Sequence, residues 1–164
     1  MKENHNMFRD MRRKNKQLPV EAARSVLLEA RRGVIAVNGD DGYPYAVPVN
    51  FLYIPEDGKI YIHGSAAGHK ADSLRRSDKV CFTAYSEPEI KDEKWAPYVS
   101  SAVVFGRCRM IQEPDEVSKL IRMLAGKYYP SAQLIEEEIQ KSAKAATIFE
   151  ITVEHLSGKR IQER

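Results

Sequence analysis

Residues 33–54 read GVIAVNGDDGYPYAVPVNFLYI, a pattern typical of two β-strands joined by a tight turn. The apolar run Gly33–Val37 is followed by Asn38–Gly42, where Asn, Asp and Gly favour the turns of β-hairpins. Tyr43–Ile54 then continues as a strand that contains Pro48. Because proline has no backbone N–H to donate to a neighbouring strand, Pro48 marks a sheet edge, a bulge or a point where pairing stops. The stretch therefore predicts antiparallel sheet with one irregular strand.

The remaining chain adds four predicted strands and four predicted helices. The strands are rich in β-branched and aromatic residues, and they lie at Lys59–His63, Lys79–Ser86, Val99–Gln112 and Thr147–Val153. The helices have apolar residues at helical spacing. The first begins at Pro19 and ends just before Gly33, and the others cover His69–Arg76, Glu116 to about Tyr128 and Ala132–Lys141. Because successive strands are joined mostly by short turns, the sequence predicts an α+β, mainly β fold: a six-stranded antiparallel Greek-key barrel with flanking helices.

Length and composition are those of a single domain. The chain has 164 residues, of which 43% are hydrophobic, and this is enough for a core. We interpret residues 1–16 as a basic N-terminal arm and residues 17–164 as the domain. No apolar run approaches the roughly 18 residues of a membrane helix, and the polar N-terminus does not resemble a secretory signal. Cys81 and Cys108 are too few for a disulfide framework, so we expect a cytoplasmic protein without a membrane partner.

Basic residues concentrate near the N-terminus. Residues 1–32 carry nine basic and four acidic side chains, whereas the whole chain carries 26 and 23. A basic arm can contact nucleic acid, but no recognition motif accompanies this one. We therefore expect the arm to be solvated or to clasp another subunit, and we expect no nucleic-acid partner.

The stretch His63–Lys70, with the sequence HGSAAGHK, combines several features of a phosphate site. It follows a predicted strand and enters a predicted helix, so its small residues expose backbone N–H groups at a helix N-terminus. Lys70 adds a positive charge. The spacing of glycine and lysine matches neither a Walker loop nor a dinucleotide fingerprint. An ordinary strand-to-helix turn is the alternative, and these residues alone favour neither interpretation.

Two further stretches could complete a ligand site. The irregular strand around Val47–Asn50 can leave backbone N–H and C=O groups free to bind a flat polar ring, or it can be a plain edge strand. Ser100 and Ser101 precede an apolar strand segment, and their hydroxyl groups could donate to a phosphate or to ring oxygens. They could equally face water at the end of a strand.

Taken together, these stretches resemble the FMN-binding split-barrel family related to pyridoxamine 5′-phosphate oxidase, and within it the nitroimidazole-resistance type of flavoprotein. The resemblance runs from about Met11 to Val153. It rests on the order and spacing of several segments, namely Met11–Lys14, Asp41–Val49, Ile60–Gly64, Gly68–Lys70, Tyr98–Ser101, Phe105–Gly106 and Lys127–Pro130. No single one of these motifs is decisive.

This resemblance implies a split barrel and a homodimer with FMN at the subunit interface. It implies that the flavin ring lies along Val47, Pro48, Val49 and Asn50. It places the phosphate near His63, Gly64, Ser65, Gly68 and Lys70. It also implies that Ser100 and Ser101 close the site, either from the same subunit or from the other one.

The implied function is an FMN-dependent oxidoreductase that reduces small aromatic, nitro or quinone-like compounds. A small-molecule electron acceptor would be its substrate, NAD(P)H a possible donor, and His63 a candidate proton donor. Two alternatives use the same fold: a non-catalytic flavin- or haem-binding module, and a protein that binds deazaflavin. Pyridoxamine-phosphate oxidase activity is disfavoured, because near the C-terminus only His155, Lys159 and Arg160 could form its substrate signature.

Other reactive residues support weaker hypotheses. His63 and His69 could be metal ligands, but two histidines without a nearby carboxylate or cysteine make a poor site, so no metal is expected. Cys81 and Cys108 are more typical of buried free thiols than of a catalytic thiol. The candidates to border the open face of a bound ring are Trp95, Tyr98 and Phe51.

Overall fold

The computed structural model describes residues 7–90, 96–142 and 146–163. The strands of these ranges are β1 (Gln17–Leu18), β2 (Gly33–Asn38), β3 (Pro44–Val49), β4 (Leu52–Ile54), β5 (Lys59–Ser65), β6 (Lys79–Tyr85), β7 (Tyr98–Ile111) and β8 (Ala146–Gln162). The α-helices are α1 (Val20–Glu29), α2 (His69–Arg76), α3 (Pro114–Gly126) and α4 (Ala132–Ser142). None of the helices in these ranges is long and apolar enough to cross a membrane.

All of these strands belong to one antiparallel sheet. The hydrogen-bonded order is β3-β2-β6-β7-β8-β5-β4, and β1 pairs with β8 near its C-terminal end. The two outermost strands, β3 and β4, are consecutive in the chain and are joined by only Asn50 and Phe51. The sheet must therefore curl until its two edges meet at this link. The predicted α+β, mainly β split barrel with flanking helices is confirmed.

The strand count differs from the prediction of six. The predicted strand Tyr43–Ile54 is two strands, because the chain leaves its partner β2 and joins β5 at the Asn50–Phe51 link. The predicted last strand, Thr147–Val153, is part of a much longer β8 that runs to Gln162. The polar second half of β8 is held in the sheet by β7 on one side and by β1 on the other.

The main core lies inside the curled sheet. Phe51, Phe82 and Phe149 are fully buried there, and the rings of Phe51 and Phe82 meet edge to face with centroids 4.8 Å apart. Helix α1 packs on the same core through Leu27, which is also fully buried. A second apolar cluster holds α3 against the opposite face of β5 and β8, and it consists of Tyr61, Ile111, Val117, Leu120 and Ile148.

The N-terminal segment lies against the last strand. The ring of Phe8 stacks on that of His155 with centroids 4.8 Å apart. Farther along the chain, β1 pairs with Gly158 and Lys159. Gly158 lets α1 approach β8 closely, because a Cβ atom at this position would lie 2.7 Å from the Cβ of Ala23.

Candidate functional site

The predicted ring-binding residues lie on and beside β3, an outermost strand. Among the described strands β3 pairs only with β2, so its other edge carries backbone groups that the sheet does not use. Pro48 lies opposite Val34 and is exposed. Of the three alternatives that the sequence left open for Pro48, the structure shows the sheet edge. Such an edge can donate hydrogen bonds to a flat polar ligand and accept hydrogen bonds from it.

The edge of β3 runs beside the end of β5 and the start of α2. β4 continues β3 after two residues, and its Leu52 pairs with Tyr61, two residues before His63. Near the other end of β3, the ring of Tyr45 stacks on that of His69 with centroids 4.0 Å apart. The structure therefore brings the predicted ring-binding and phosphate-binding stretches alongside each other, at the seam where the two sheet edges meet.

Two glycines shape the phosphate-binding stretch. A Cβ atom on Gly64 would lie 2.9 Å from a ring carbon of Phe149 and 3.3 Å from Nζ of Lys70, so a larger residue would displace one of them. Gly68 precedes α2 with a φ of 102°, which side chains with a Cβ atom rarely adopt. The backbone of the stretch therefore depends on glycine at both positions.

Lys70 supplies an unneutralised cation beside this backbone. Its side chain is half-buried, and its Nζ lies 4.2 Å from the centre of the Phe149 ring. Within the described ranges its ammonium group has neither a carboxylate partner nor a hydrogen-bond acceptor. Burial lowers the pKa of Lys70, and a weaker effect of Cys108 opposes this. Since an ammonium group in a partly apolar place is stabilised by an opposite charge, this arrangement favours a bound anion.

His63 lies next to Lys70 at the end of β5. Partial burial, and secondly the charge of Lys70, lower the pKa of His63 below its usual 6.5. The imidazole is therefore neutral at pH 7, with one N–H donor and one acceptor nitrogen. An anion bound beside Lys70 would raise this pKa again, because it would offset the positive charge. The role of His63 as a proton donor stays a prediction.

Ser65 and His69 are partly engaged within the protein. Ser65 Oγ accepts a hydrogen bond from the N–H of Ala67 at 3.1 Å, which tightens the turn before α2. His69 Nε2 lies 3.4 Å from a carboxylate oxygen of Asp40, in addition to its stacking on Tyr45. In the part of the chain that the structure describes, no group of three or more His, Cys, Asp or Glu residues could hold a metal ion.

The end of α3 fixes the link between β3 and β4, which the sequence did not reveal. The hydroxyl of Tyr128 accepts a hydrogen bond from the N–H of Phe51 at 2.9 Å and lies 2.8 Å from the carbonyl oxygens of Phe51 and Arg31. Lys127 donates to the carbonyl of Ala30 at 2.7 Å, and its Nζ lies 4.2 Å from the centre of the Phe51 ring. Burial, and secondly the charge of Arg31, lower the pKa of Lys127 to about 8.

A second contact that the sequence did not reveal lies at the same link. Arg32, the residue before β2, donates a hydrogen bond to Oδ1 of Asn50 at 2.9 Å. The segment Lys127–Pro130 belongs to the family resemblance, but the sequence gives no sign of which backbone groups it binds. For Arg32 the only available signal was its position beside the strand that pairs with β3.

Ser100 and Ser101 are far from the phosphate-binding stretch of the same chain. Ser100 pairs with Arg160, whereas His63 pairs with Ile148, twelve residues earlier on β8. At about 3.3 Å per residue, this is a separation of roughly 40 Å along the strand. Ser100 instead lines a cleft of about 580 Å³ between α1 and residues 85–89. One chain therefore does not bring the serines to His63.

Two of the three aromatic candidates, Phe51 and Tyr98, do not line the seam. Phe51 is fully buried in the core, so it cannot border an open ligand face. Tyr98 lies at the serine end of β7, where its ring is 5.1 Å from the guanidinium carbon of Arg160. Trp95 lies outside the described residues.

A curled antiparallel sheet, with a free strand edge beside a glycine-rich segment that carries the half-buried Lys70, defines a split-barrel protein with a cation suited to an anionic ligand. The profile of the pyridoxamine 5′-phosphate oxidase family matches residues 19–160, and the chain belongs to this family. The predicted family resemblance is confirmed. A comparison with curated proteins finds no match.

Several solved structures share this fold. A candidate 5-nitroimidazole antibiotic resistance protein from Bacteroides thetaiotaomicron is 19% identical, with 90% of this chain and 87% of that chain covered and a TM-score of 0.73. An FAD-binding protein from Mesorhizobium loti is 21% identical, with 89% of this chain and 97% of that chain covered and a TM-score of 0.63. An FAD- and haem-binding protein from Mycobacterium smegmatis is 19% identical, with 88% of this chain and 72% of that chain covered and a TM-score of 0.62. Similarity at these identities shows the fold alone.

Proposed function

We propose that this protein binds FMN at the barrel seam and acts as an oxidoreductase on small aromatic, nitro or quinone-like compounds. The observation that carries the proposal is the half-buried Lys70, which has no counter-ion in the described residues and lies beside a glycine-rich helix entrance. Membership in this family, and the flavins named for two of the similar structures, support a flavin as the anionic ligand.

The residues at the seam fit both ends of FMN. The phosphate would be held by backbone N–H groups and by the charge of Lys70, in a cradle formed by His63, Gly64, Ser65 and Gly68. The ring would lie along the unused edge of β3 between Val47 and Asn50, where the backbone groups that do not pair with β2 offer donors and acceptors. Pro48 can contribute only a carbonyl oxygen, because its nitrogen carries no hydrogen.

The bound flavin supplies hydride and electron transfer, while the protein supplies position and electrostatics. In the proposed reaction NAD(P)H gives up a hydride and becomes NAD(P)⁺, and the acceptor gains two electrons and two protons, one of them from solvent. The β3 edge orients the ring, and Lys70 holds the phosphate. The neutral imidazole of His63 can donate a hydrogen bond, and it holds a proton more firmly once an anion lies beside Lys70.

We also propose that the working unit is a homodimer. The support is the separation of roughly 40 Å along β8 between the two predicted halves of the site, which only a second copy could bring together. Sedimentation equilibrium tests this proposal. A protein that stays monomeric with FMN bound would contradict it.

The first experiment is the visible absorption spectrum of the purified protein, followed by release and chromatography of any chromophore. We expect a flavin spectrum and released FMN. Lys70→Met should retain at least tenfold less FMN, because the cation for the phosphate is lost. Lys119→Met is the matched control, since Lys119 is an exposed lysine on α3. Equal FMN retention by both variants would remove Lys70 from the site.

Other outcomes of this experiment separate the alternatives. A protein that stays colourless and takes up no FMN would overturn the proposal. Released FAD would keep the oxidoreductase proposal but correct the cofactor, whereas a haem spectrum would favour the binding module. If FMN is bound, oxidation of NAD(P)H with menadione or a nitroaromatic compound as acceptor tests turnover, and no turnover with either would favour the non-catalytic module.

A further inference from the structure

The side-chain amide of Asn50 has only one possible orientation. Arg32 donates to Oδ1 of Asn50 at 2.9 Å, and a guanidinium group has donors but no acceptor. The amide oxygen must therefore face Arg32, and the Nδ2 group must occupy the other branch of the amide. Without Arg32 the oxygen and the nitrogen could exchange places by rotation about the last side-chain bond.

The Nδ2 group of Asn50 is available to a ligand. It carries two N–H donors, and among the described residues neither has an acceptor. Asn50 is half-buried and directly follows β3, at the end of the edge that we propose for the flavin ring. A flavin ring carries carbonyl oxygens and ring nitrogens, which are acceptors for such donors, and their electron density increases when the ring is reduced.

The bond between Arg32 and Asn50 is not needed to hold the chain in place. The next residue, Phe51, is already fixed, because Tyr128 binds its N–H group and Lys127 lies over its ring. Arg32 is exposed, and hydrogen bonds of exposed side chains contribute little to stability. The contact therefore serves the orientation of the Asn50 amide more than the stability of the fold.

We propose that Arg32 is a positioning residue that turns the donors of Asn50 toward the bound ring and so favours its reduced form. This inference rests on the proposed flavin site. Arg32 itself need not touch the ring. A hydrogen bond that strengthens as negative charge develops on its acceptor stabilises the charged state more than the neutral one.

The test is the midpoint potential of the flavin in the loaded protein, measured for the wild type and for substituted proteins. We expect Arg32→Ala to weaken binding of the reduced flavin relative to the oxidised flavin about tenfold, which lowers the potential by about 30 mV for a two-electron couple. Arg31→Ala is the matched control, because it removes the same charge one residue away, where the guanidinium lies over Tyr128 rather than against Asn50. The shift in midpoint potential caused by Arg31→Ala should be less than a third of the shift caused by Arg32→Ala.

Two further variants separate orientation from charge. Arg32→Lys keeps a donor for Oδ1 and should restore most of the potential. Asn50→Asp keeps the contact with Arg32 but replaces the amide donors with an acceptor, so the potential should fall at least as far as in Arg32→Ala. Both remain informative if Arg32→Ala fails to fold.

The outcomes separate this inference from the proposed flavin site. If wild-type protein binds no flavin, the proposed function and this inference both fail. If flavin binds and the two arginine variants shift the potential equally, charge alone acts and the positioning role is refuted. A wild-type potential in Asn50→Asp would also refute it, and in both of these cases the proposed flavin site stands.

Discussion

Tyr128→Phe should destabilise the fold by removing one oxygen atom. The hydroxyl accepts from the N–H of Phe51 and can donate its single proton to one of two carbonyl oxygens, those of Phe51 and Arg31. The substitution therefore removes one accepted and one donated bond. Because Phe51 is fully buried, its N–H group would be left without a partner.

The size of the effect follows from these two losses. A donated hydrogen bond contributes about 1 kcal/mol net, and a buried N–H group without an acceptor costs about 1–3 kcal/mol. We expect a free energy of unfolding lower by about 3 kcal/mol. For a chain of this length this corresponds to a Tm lower by roughly 6–12 °C.

Urea unfolding followed by circular dichroism measures this change. Tyr129→Phe is the control, because Tyr129 is about half exposed and its hydroxyl makes no hydrogen bond within the described residues. The slope of unfolding free energy against urea should be the same in both variants, since the folded surface is unchanged. A free energy for Tyr128→Phe within 0.5 kcal/mol of that for Tyr129→Phe would refute the reasoning.

Three other substitutions test single features of the structure. Gly68→Ala should destabilise by about 1–3 kcal/mol in urea unfolding because its φ is 102°, whereas Gly126→Ala, which adds a methyl group in open space, should not. The stability of wild-type protein relative to Lys127→Met should rise from pH 8 to pH 10, because the folded protein loses this proton near pH 8 and the unfolded chain loses it near 10.5. A flat difference would contradict the buried site, and Lys14→Met, at an exposed lysine, is the control substitution. Glu150→Gln should be less stable than wild type at pH 7, because the ion pairs of the buried Glu150 carboxylate lower its pKa. This difference in stability should narrow as the pH falls below 4.5, since protonation removes the ion pairs, and a difference that does not narrow with falling pH would show another cause.

The sequence predicted those features that depend on local chemistry. Pro48 limited its strand to an edge, a bulge or a point where pairing stops, because a missing N–H group is incompatible with regular pairing on both sides. The segment His63–Lys70 was predicted to pass from a strand into a helix, and β5 and α2 follow this order. Its small residues and its lysine were visible in the sequence, and the structure adds that Lys70 has no counter-ion in the described residues.

The sequence could not predict features that depend on distant partners. The break at Asn50–Phe51 exists because β3 and β4 pair with different strands, and a single asparagine before Phe51 does not by itself indicate where a strand changes partner. The polar end of β8 is a strand because β7 and β1 provide its partners. The distance between Ser100 and His63 follows from the length of β8, which local pattern did not show.

The position of β8 in the sheet has a consequence for synthesis on the ribosome. β8 lies between β7 and β5, yet it is the last of the described strands to be made. Until residues 146–162 emerge, β5 and β7 each lack a neighbour, and their exposed edges can pair with other nascent chains. The barrel therefore cannot close vectorially from its N-terminus. Holding chaperones that cover these edges should raise the yield of folded protein more than faster translation does.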